Sequence, residues 1–173
     1  MELKAEQIVR QFGLEPLPGE GGMFRQSYIS DEGIPRDALP DRYPGDKPMC
    51  TAIYYLLTDA PDSFSALHRL PTDEIFHFYG GDPVEMVMLH PDGRGQRVRL
   101  GPDFMNGEHV QLVVRREVWQ GSRLAGGGRC GWALLGTTMA PGYTGPDYEA
   151  ANRAELLARY PDFASSIRRL TRE

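Results

Sequence analysis

The sequence predicts an all-β fold, an antiparallel sandwich or barrel, with a short helix near each end of the chain. Short segments rich in β-branched and aromatic residues recur through the middle of the sequence. Clusters of Pro, Gly, Asp and Asn separate these segments at intervals of roughly 10 to 20 residues, as expected for turns between short strands. No helical pattern lies between the segments, which favours a sandwich or barrel over a parallel α/β sheet.

The first predicted element is a short amphipathic helix. Leu3, Ile8 and Phe12 have roughly helical spacing, and Gly13 is placed to end the helix as a C-terminal glycine. Residues 16–22 follow, and they are too rich in Pro and Gly for regular helix or strand. The helix therefore stands apart from the predicted sheet.

Strands are predicted along most of the remaining chain. The strongest, at 51–57, is rich in β-branched and aromatic residues. Residues 30–48 contain four prolines and several aspartates, which indicates a long excursion at the rim of a site or in a subunit contact. The other predicted strands cover residues 23–29, 74–79, 84–89, 96–100, 111–114 and 132–139.

The pattern changes after Pro141. Apolar residues return there at roughly helical spacing and predict a C-terminal helix that stops near Pro161; they are Tyr148, Leu156, Leu157 and Tyr160. Neither an internal repeat nor a linker interrupts the sequence. We therefore expect one domain over residues 1–173.

Composition and charge exclude several classes of protein. Hydrophobic residues make up 40% and charged residues 25% of the chain, which is typical of a folded globular protein. A net charge of −5 provides no basic surface for phosphates, so no nucleic-acid partner is expected. The sequence has no run of about 18 apolar residues and no signal-like N-terminus, so we expect a cytoplasmic protein without a membrane partner.

The strongest candidate site lies between residues 68 and 77. Two histidines, His68 and His77, and two acids, Asp73 and Glu74, fall within this segment, which spans a strand end, a turn and the next strand. Imidazole and carboxylate groups brought together at a hairpin bind a divalent metal or act as a general base with its orienting partner. The alternative is that both histidines are structural and hydrogen-bonded in or near the core.

Strand alternation separates these candidates. Glu74 and Phe76 share one face of the predicted strand, while Ile75 and His77 share the other. We therefore expect His68 and Glu74 to face the interior of the barrel, and Ile75 and His77 to face away. His77 remains a candidate for ligand binding only if a bulge turns it inward, or at an interface.

The spacing of this segment resembles the first conserved motif of the cupin superfamily: His68, then Glu74 after five residues, then Gly81. More specifically, the chain resembles the cupin-like family DUF985 (Cupin_5). The matching elements agree in order and spacing from about residue 13 to residue 161, and they are 19–25, 51–57, 68–79, Gly107-Glu108 with Gln111, Trp119-Gln120 and 139–143. This resemblance implies a double-stranded β-helix, the cupin jelly roll, which is usually dimeric.

The departures from the superfamily bear on metal binding. Metal-binding cupins usually carry His-x-His in the first motif, but here Ala66 replaces the first histidine and only His68 remains. Gln120 stands where the second motif would supply another histidine, and a neutral amide is a weaker ligand for transition metals than imidazole. We therefore expect no cofactor; a divalent metal, if bound, would use His68, Glu74 and Gln120.

A pocket without a metal would depend on aromatic walls and a few polar groups. Tyr55, Trp119 and Tyr143 are candidate walls for a small-molecule ligand, although each is also a plausible core residue. Gln111 and Gln120 are candidate polar contacts. Because a buried amide without partners costs about 1 to 3 kcal/mol, we expect both to join one polar cluster around His68.

Three functions remain open. The resemblance to cupin epimerases implies an epimerase or isomerase of a small carbonyl compound, such as a sugar nucleotide. His68 would then be the acid/base, oriented by Glu74 or Asp73. The first alternative is a non-catalytic binding protein that holds a small metabolite with His68, Gln111 and Gln120. The second is a metal-dependent oxygenase or lyase. In each case a homodimer is expected, because exposed edge strands are often covered by a partner subunit.

Overall fold

Two antiparallel sheets form most of the computed structural model, which describes residues 3–172. The first sheet contains β1 (Glu15–Pro16), β2 (Met23–Ile29), β5 (Thr51–Thr58), β7 (Glu74–Gly81), β10 (Gln111–Val114) and β12 (Trp132–Met139). The second contains β6 (Ser65–Arg69), β8 (Val84–Leu89), β9 (Gly95–Leu100), β11 (Trp119–Leu124) and β13 (Glu149–Ala150). Two short strands, β3 (Gly33–Ile34) and β4 (Lys47–Pro48), pair with each other.

The strands of the two sheets alternate along much of the chain. The first sheet has the order β1-β2-β5-β12-β7-β10 and the second has the order β13-β6-β11-β8-β9. Because β5 and β7 belong to the first sheet while β6 and β8 belong to the second, the chain passes repeatedly from one sheet to the other. The result is a jelly roll whose inner faces enclose the core.

The main core lies between the sheets. Strand alternation directs one set of side chains inward from each sheet, and these side chains are almost completely buried. Burying one such side chain stabilises the fold by about 1.5 to 3 kcal/mol. The largest members of this core are Tyr55, Leu57, Phe76, Met86, Met88, Leu100 and Leu135.

Within residues 3–172, three short α-helices pack outside the sheets. Helix α1 (Ala5–Phe12) buries Ile8 against Leu56 and Trp132. Gly13 ends this helix at φ 62°, a left-handed conformation that glycine adopts without strain, and its N–H bonds to the carbonyl of Val9. Within residues 3–172, no helix is long and apolar enough to cross a membrane.

The other two helices cover the outer face of the second sheet. They are α2 (Arg153–Arg159) and α3 (Ala164–Arg169). Leu156 and Ile167 from these helices form a second core with Leu67 and Trp119 of the sheet. Strands β6 and β11 are therefore buried on both faces, so their sequences do not alternate cleanly between apolar and polar residues.

Most of the predicted elements are confirmed, including α1, its C-terminal glycine and seven predicted strands. The predicted C-terminal helix is wrong in its extent. Glu149 and Ala150 form a strand beside β6, and α2 begins only after Asn152, whose side chain accepts hydrogen bonds from two backbone N–H groups of the first turn. Pro161 then separates α2 from α3, which the sequence pattern does not predict.

Candidate functional site

A cavity of about 470 Å³ lies between the sheets, within the size range of small-molecule sites. Its walls come from β1, β2, β5, β6, β7 and β12, together with the turn that follows β12. The apolar side chains of the wall include Leu17, Phe24, Ile53, Leu70 and Met139, and the polar ones include Glu20, Thr51, His68, Glu74, Thr137 and Tyr143.

His68 is held in one orientation by two contacts. Its side chain is buried, and Nδ1 lies 2.8 Å from the carbonyl oxygen of Ala66. A carbonyl oxygen only accepts hydrogen bonds, so Nδ1 must carry the hydrogen, and in the neutral ring the lone pair is on Nε2. The ring of Tyr148 stacks on the imidazole with centroids 5.1 Å apart. The carbonyl of Ala66 therefore orients the imidazole, in place of Glu74 or Asp73, which the sequence predicts for this role.

Asp73 is held elsewhere. Its carboxylate accepts hydrogen bonds from the guanidinium of Arg115 at 2.7 Å and from the backbone N–H of Arg116 at 2.8 Å. These bonds hold the pKa of Asp73 below its usual value against the opposing effect of burial. Asp73 is an anchor for the β10–β11 connection.

Glu20 faces the free nitrogen of His68. Its Oε2 atom lies 3.9 Å from His68 Nε2, and its Oε1 atom accepts a hydrogen bond from Ser65 at 2.8 Å. The loop around Glu20 depends on glycine, because Gly21 and Gly22 have positive φ angles of 102° and 70°. A Cβ atom at Gly22 would lie 2.7 Å from the hydroxyl oxygen of Tyr55.

Glu74 is the second buried acid of the cavity. Burial raises its pKa and the charge of Glu20 raises it further, while His68 and hydrogen bonds from Thr137 and Gln120 lower it. The shift that results is upward. Glu74 therefore keeps its proton to a higher pH than an ordinary glutamic acid.

Gln120 lies behind Glu74. Its register partner across the β6–β11 pair is His68, and its Nε2 atom donates a hydrogen bond to Glu74 Oε2 at 2.7 Å. The other amide atom, Gln120 Oε1, is buried and has no hydrogen-bond partner among residues 3–172. Gln120 thus joins the buried polar cluster through Glu74, but it does not line the cavity and so is not placed as a ligand contact.

Two tyrosines predicted as walls have different positions. Tyr143 lines the cavity and is half-exposed, and burial together with Glu20 raises its pKa. Tyr55 is buried in the main core and does not line the cavity. Its hydroxyl donates a hydrogen bond to the carbonyl of Gly21 at 2.8 Å, so Tyr55 supports the loop that carries Glu20.

The orientation predicted for β7 is confirmed, and it excludes His77 from the cavity. Glu74 lines the cavity, whereas His77 lies on the outer face of the sheet with Nε2 3.2 Å from the hydroxyl of Thr138. Gln111 pairs in register with His77, and its amide lies 3.4 Å from His77 Nδ1. The expectation that Gln111 joins the His68 cluster is wrong, because paired residues of adjacent strands share one face.

Trp119 is also outside the cavity. It directly precedes the inward-facing Gln120, so its side chain points to the opposite face. There it packs in the second core beneath the C-terminal helices, and the guanidinium of Arg69 lies 4.8 Å from its ring. Trp119 is a core residue rather than a wall of the site.

Glu20 and Tyr148 are functional residues that the sequence does not predict. The motif Gly-Glu-Gly-Gly at 19–22 contributes to the family resemblance, and an acid between glycines is a signal for a tight loop that exposes one side chain. Tyr148 has no such signal. It is predicted in a helix, and only the pairing of β13 with β6 places it on the His68 ring.

The excursion at 30–48 packs beside the cavity. Lys47 is buried and donates hydrogen bonds to the carboxylate of Asp147 and, at 2.7 Å, to the hydroxyl of Thr144. Thr144 and Gly145 line the cavity. The buried ion pair therefore fastens the excursion to one wall of the site, in agreement with the rim alternative.

The donor set at the cavity is a poor fit for a resident transition metal. It contains one imidazole, His68, and Gln120 directs its amide N–H rather than its oxygen toward Glu74. No group of three or more His, Cys, Asp and Glu residues in the described part of the chain is arranged to hold a metal ion.

The jelly roll and its central cavity define a cupin-type domain. The chain belongs to the family DUF985 (Cupin_5) of the cupin superfamily, and the model of this family matches residues 6–151.

Similar proteins support the same family. The chain is 31% identical to the uncharacterised Saccharomyces cerevisiae protein YML079W over 61% of its own length, a match that spans about half (54%) of the yeast protein. A protein from Shewanella oneidensis has a similar structure, with 29% identity, a TM-score of 0.82 and coverage of 98% of both chains. A hypothetical protein from Leishmania major has 28% identity and a TM-score of 0.84, covering 99% of this chain and 100% of its own.

A more distant structure shares the fold alone. It is a cupin 2 domain-containing protein from Halorhodospira halophila, with 13% identity and a TM-score of 0.53, covering 88% of this chain and 84% of its own.

Proposed function

We propose that this protein is an enzyme that moves a proton on a small carbonyl compound, as an epimerase or isomerase, with His68 as its acid/base. The observation that carries the proposal is the fixed tautomer of His68. Because the carbonyl of Ala66 holds Nδ1, the basic Nε2 atom lies on the side of Glu20, and both residues line the cavity. A purely structural histidine would have both nitrogens hydrogen-bonded.

The proposed step is the removal of a proton from the carbon next to the carbonyl group. The C–H bond breaks, the proton bonds to His68 Nε2, and the electron pair moves to the carbonyl oxygen to form an enolate. The positive charge on the ring is then stabilised by the carboxylate of Glu20 at 3.9 Å. In an isomerase, the ring returns the proton to the former carbonyl carbon, while the hydroxyl on the carbon that lost its proton becomes the new carbonyl and passes its own proton to the enolate oxygen.

The enolate oxygen needs a hydrogen-bond donor. Glu74, whose pKa is raised by burial, supplies an O–H group when protonated, and Tyr143 supplies a phenol on the cavity wall. Both groups resist ionisation, because burial also raises the pKa of Tyr143.

Proton exchange with solvent tests this function without knowledge of the product. The protein is incubated in D₂O with a panel of aldoses, ketoses and small keto compounds, and the loss of the C–H signal next to the carbonyl group is followed by proton NMR. We expect exchange with at least one class of compound, and its loss in the His68→Ala variant. His77→Ala is the matched control, because His77 lies on the outer face, and it should retain exchange.

A non-catalytic role is the alternative outcome. If a compound binds, as shown by calorimetry, but exchanges no proton in D₂O, the protein is a metabolite-binding module and His68 is a polar contact. The largely aliphatic wall, which includes Leu17, Ile53 and Leu70, is equally compatible with this role.

A further inference from the structure

Most of the ionisable side chains that line the cavity are acidic. Three glutamates line it, namely Glu15, Glu20 and Glu74, and the other titratable side chains of its wall are His68 and Tyr143. No lysine or arginine lines the cavity in the part of the chain that the structure describes. Proteins bind phosphates and carboxylates through Arg and Lys side chains, and this wall offers neither.

Two cations close to the cavity wall are already engaged. Lys47 is buried against Asp147 and Thr144, and Arg172 bonds to the backbone carbonyls of Gly19 and Glu20. The guanidinium of Arg172 also lies 4.4 Å from the ring of Phe64. Neither cation is available for an anion in the cavity without breaking these contacts.

The short helical turn beside the cavity is not an anion site either. The turn at 145–147 presents its N-terminal end beside the wall, but the backbone N–H of Thr144 donates to the carboxylate of Asp147 at 2.8 Å. That carboxylate already occupies the place where a phosphate would otherwise bind. The carboxylates of Glu15 and Glu20 can instead accept hydrogen bonds from the hydroxyl groups of a neutral ligand.

We infer that the substrate of this cavity carries no anionic group and is an unphosphorylated, hydroxyl-bearing carbonyl compound. Sugar nucleotides and sugar phosphates are excluded by the charge of the wall, although the volume of the cavity would admit a sugar phosphate. This inference rests on the proposed function, because it takes His68 as the group that substrate must reach.

Two alkylating reagents of nearly equal size test the charge preference directly. In both 2-bromoacetamide and bromoacetate, the lone pair of His68 Nε2 attacks the CH₂ carbon, an N–C bond forms and bromide leaves. The first reagent is neutral and the second is an anion. Rates are measured by mass spectrometry of peptides containing His68 and, as an internal reference, the exposed His109.

We expect the ratio of the bromoacetamide rate to the bromoacetate rate to be about fivefold or more higher at His68 than at His109, since one carboxylate a few ångströms away repels the anion. The Glu20→Gln and Glu15→Gln variants should each lower this ratio. Glu155→Gln, at an exposed position of α2, is the matched control and should leave it unchanged.

The outcomes separate the inference from the proposed function. An equal or faster reaction of His68 with bromoacetate overturns the inference and leaves the acid/base role intact. If His109 is modified but His68 reacts with neither reagent, Nε2 is closed to the cavity, and the proposed function fails together with the inference.

Discussion

The Nε2 atom of His68 lies 3.9 Å from a carboxylate oxygen of Glu20, although the two residues belong to different parts of the fold. His68 is on β6 of the second sheet, and Glu20 is in the loop between β1 and β2 of the first. Strand β6 fixes the loop, since the backbone N–H of Ala66 bonds to the carbonyl of Glu20 and the hydroxyl of Ser65 bonds to its side chain. The packing of the second sheet against this loop thus brings His68 and Glu20 together.

The His68→Asn variant should separate the chemistry of His68 from its structural contact. An asparagine amide nitrogen can replace Nδ1 as the donor to Ala66 but offers no base in place of Nε2. We expect His68→Asn to lose proton exchange. Its free energy of unfolding should be about 1 kcal/mol higher than that of His68→Ala, because alanine leaves the carbonyl of Ala66 unpaired. Urea unfolding and circular dichroism measure this. Loss of the fold in both variants would make His68 a structural histidine.

The Glu20→Gln variant should slow proton transfer without a loss of fold. A glutamine oxygen can still accept the hydrogen bond from Ser65, but the amide no longer stabilises a protonated His68. An ion pair at about 4 Å is worth about 1 kcal/mol in water and more in a partly buried site, so we expect the exchange rate to fall about tenfold. The melting temperature should change little. An unchanged exchange rate would show that Glu20 does not assist the base.

The sequence predicts the inward face of β7 and the outer position of His77 because a period of two is unambiguous once the strand is located. It predicts neither the place of Gln111 nor that of Trp119, because these depend on which strands pair and on what covers the second sheet. Glu20 reaches the site through loop and sheet packing. Such contacts join segments that are distant in sequence, and local pattern carries no information about them.

Glu74 should make the stability of the fold depend on pH. Its pKa is raised in the folded state, so between its ordinary value of 4.5 and the higher folded value the native state binds more protons than the unfolded state. The free energy of unfolding therefore falls as pH rises through this window. The Glu74→Gln variant removes the titration, and its stability relative to the native protein should increase with pH above 4.5.

Urea unfolding at several pH values measures this effect. Glu155→Gln, at an exposed position, is the control and should follow the native protein at every pH. A difference between Glu74→Gln and the native protein that stays constant with pH would show that Glu74 has an ordinary pKa.

Removing one partner of the buried ion pair between Lys47 and Asp147 should lower the free energy of unfolding. Replacing Lys47 with Met leaves the carboxylate of Asp147 buried without its cation, which costs about 3 to 5 kcal/mol. The double variant Lys47→Met with Asp147→Asn should recover part of this loss, because an asparagine oxygen still accepts the N–H of Thr144 without a charge. Urea unfolding compares four proteins: the native protein, Lys47→Met, Asp147→Asn and the double variant. Additive losses in the double variant would contradict a coupled ion pair.

We propose that the protein is a homodimer, because the first sheet ends in β1 and β10, each with one strand neighbour among residues 3–172, and because the outer face of this sheet exposes Tyr28, Tyr79 and Val113. Exposed edges and apolar side chains of this kind are commonly covered by a second subunit. Light scattering at micromolar concentration should give twice the chain mass of 19.4 kDa. Tyr79→Lys on that face should shift the mass toward the monomer, while Glu155→Lys on α2 should not. A single 19.4 kDa species for the native protein would refute the dimer.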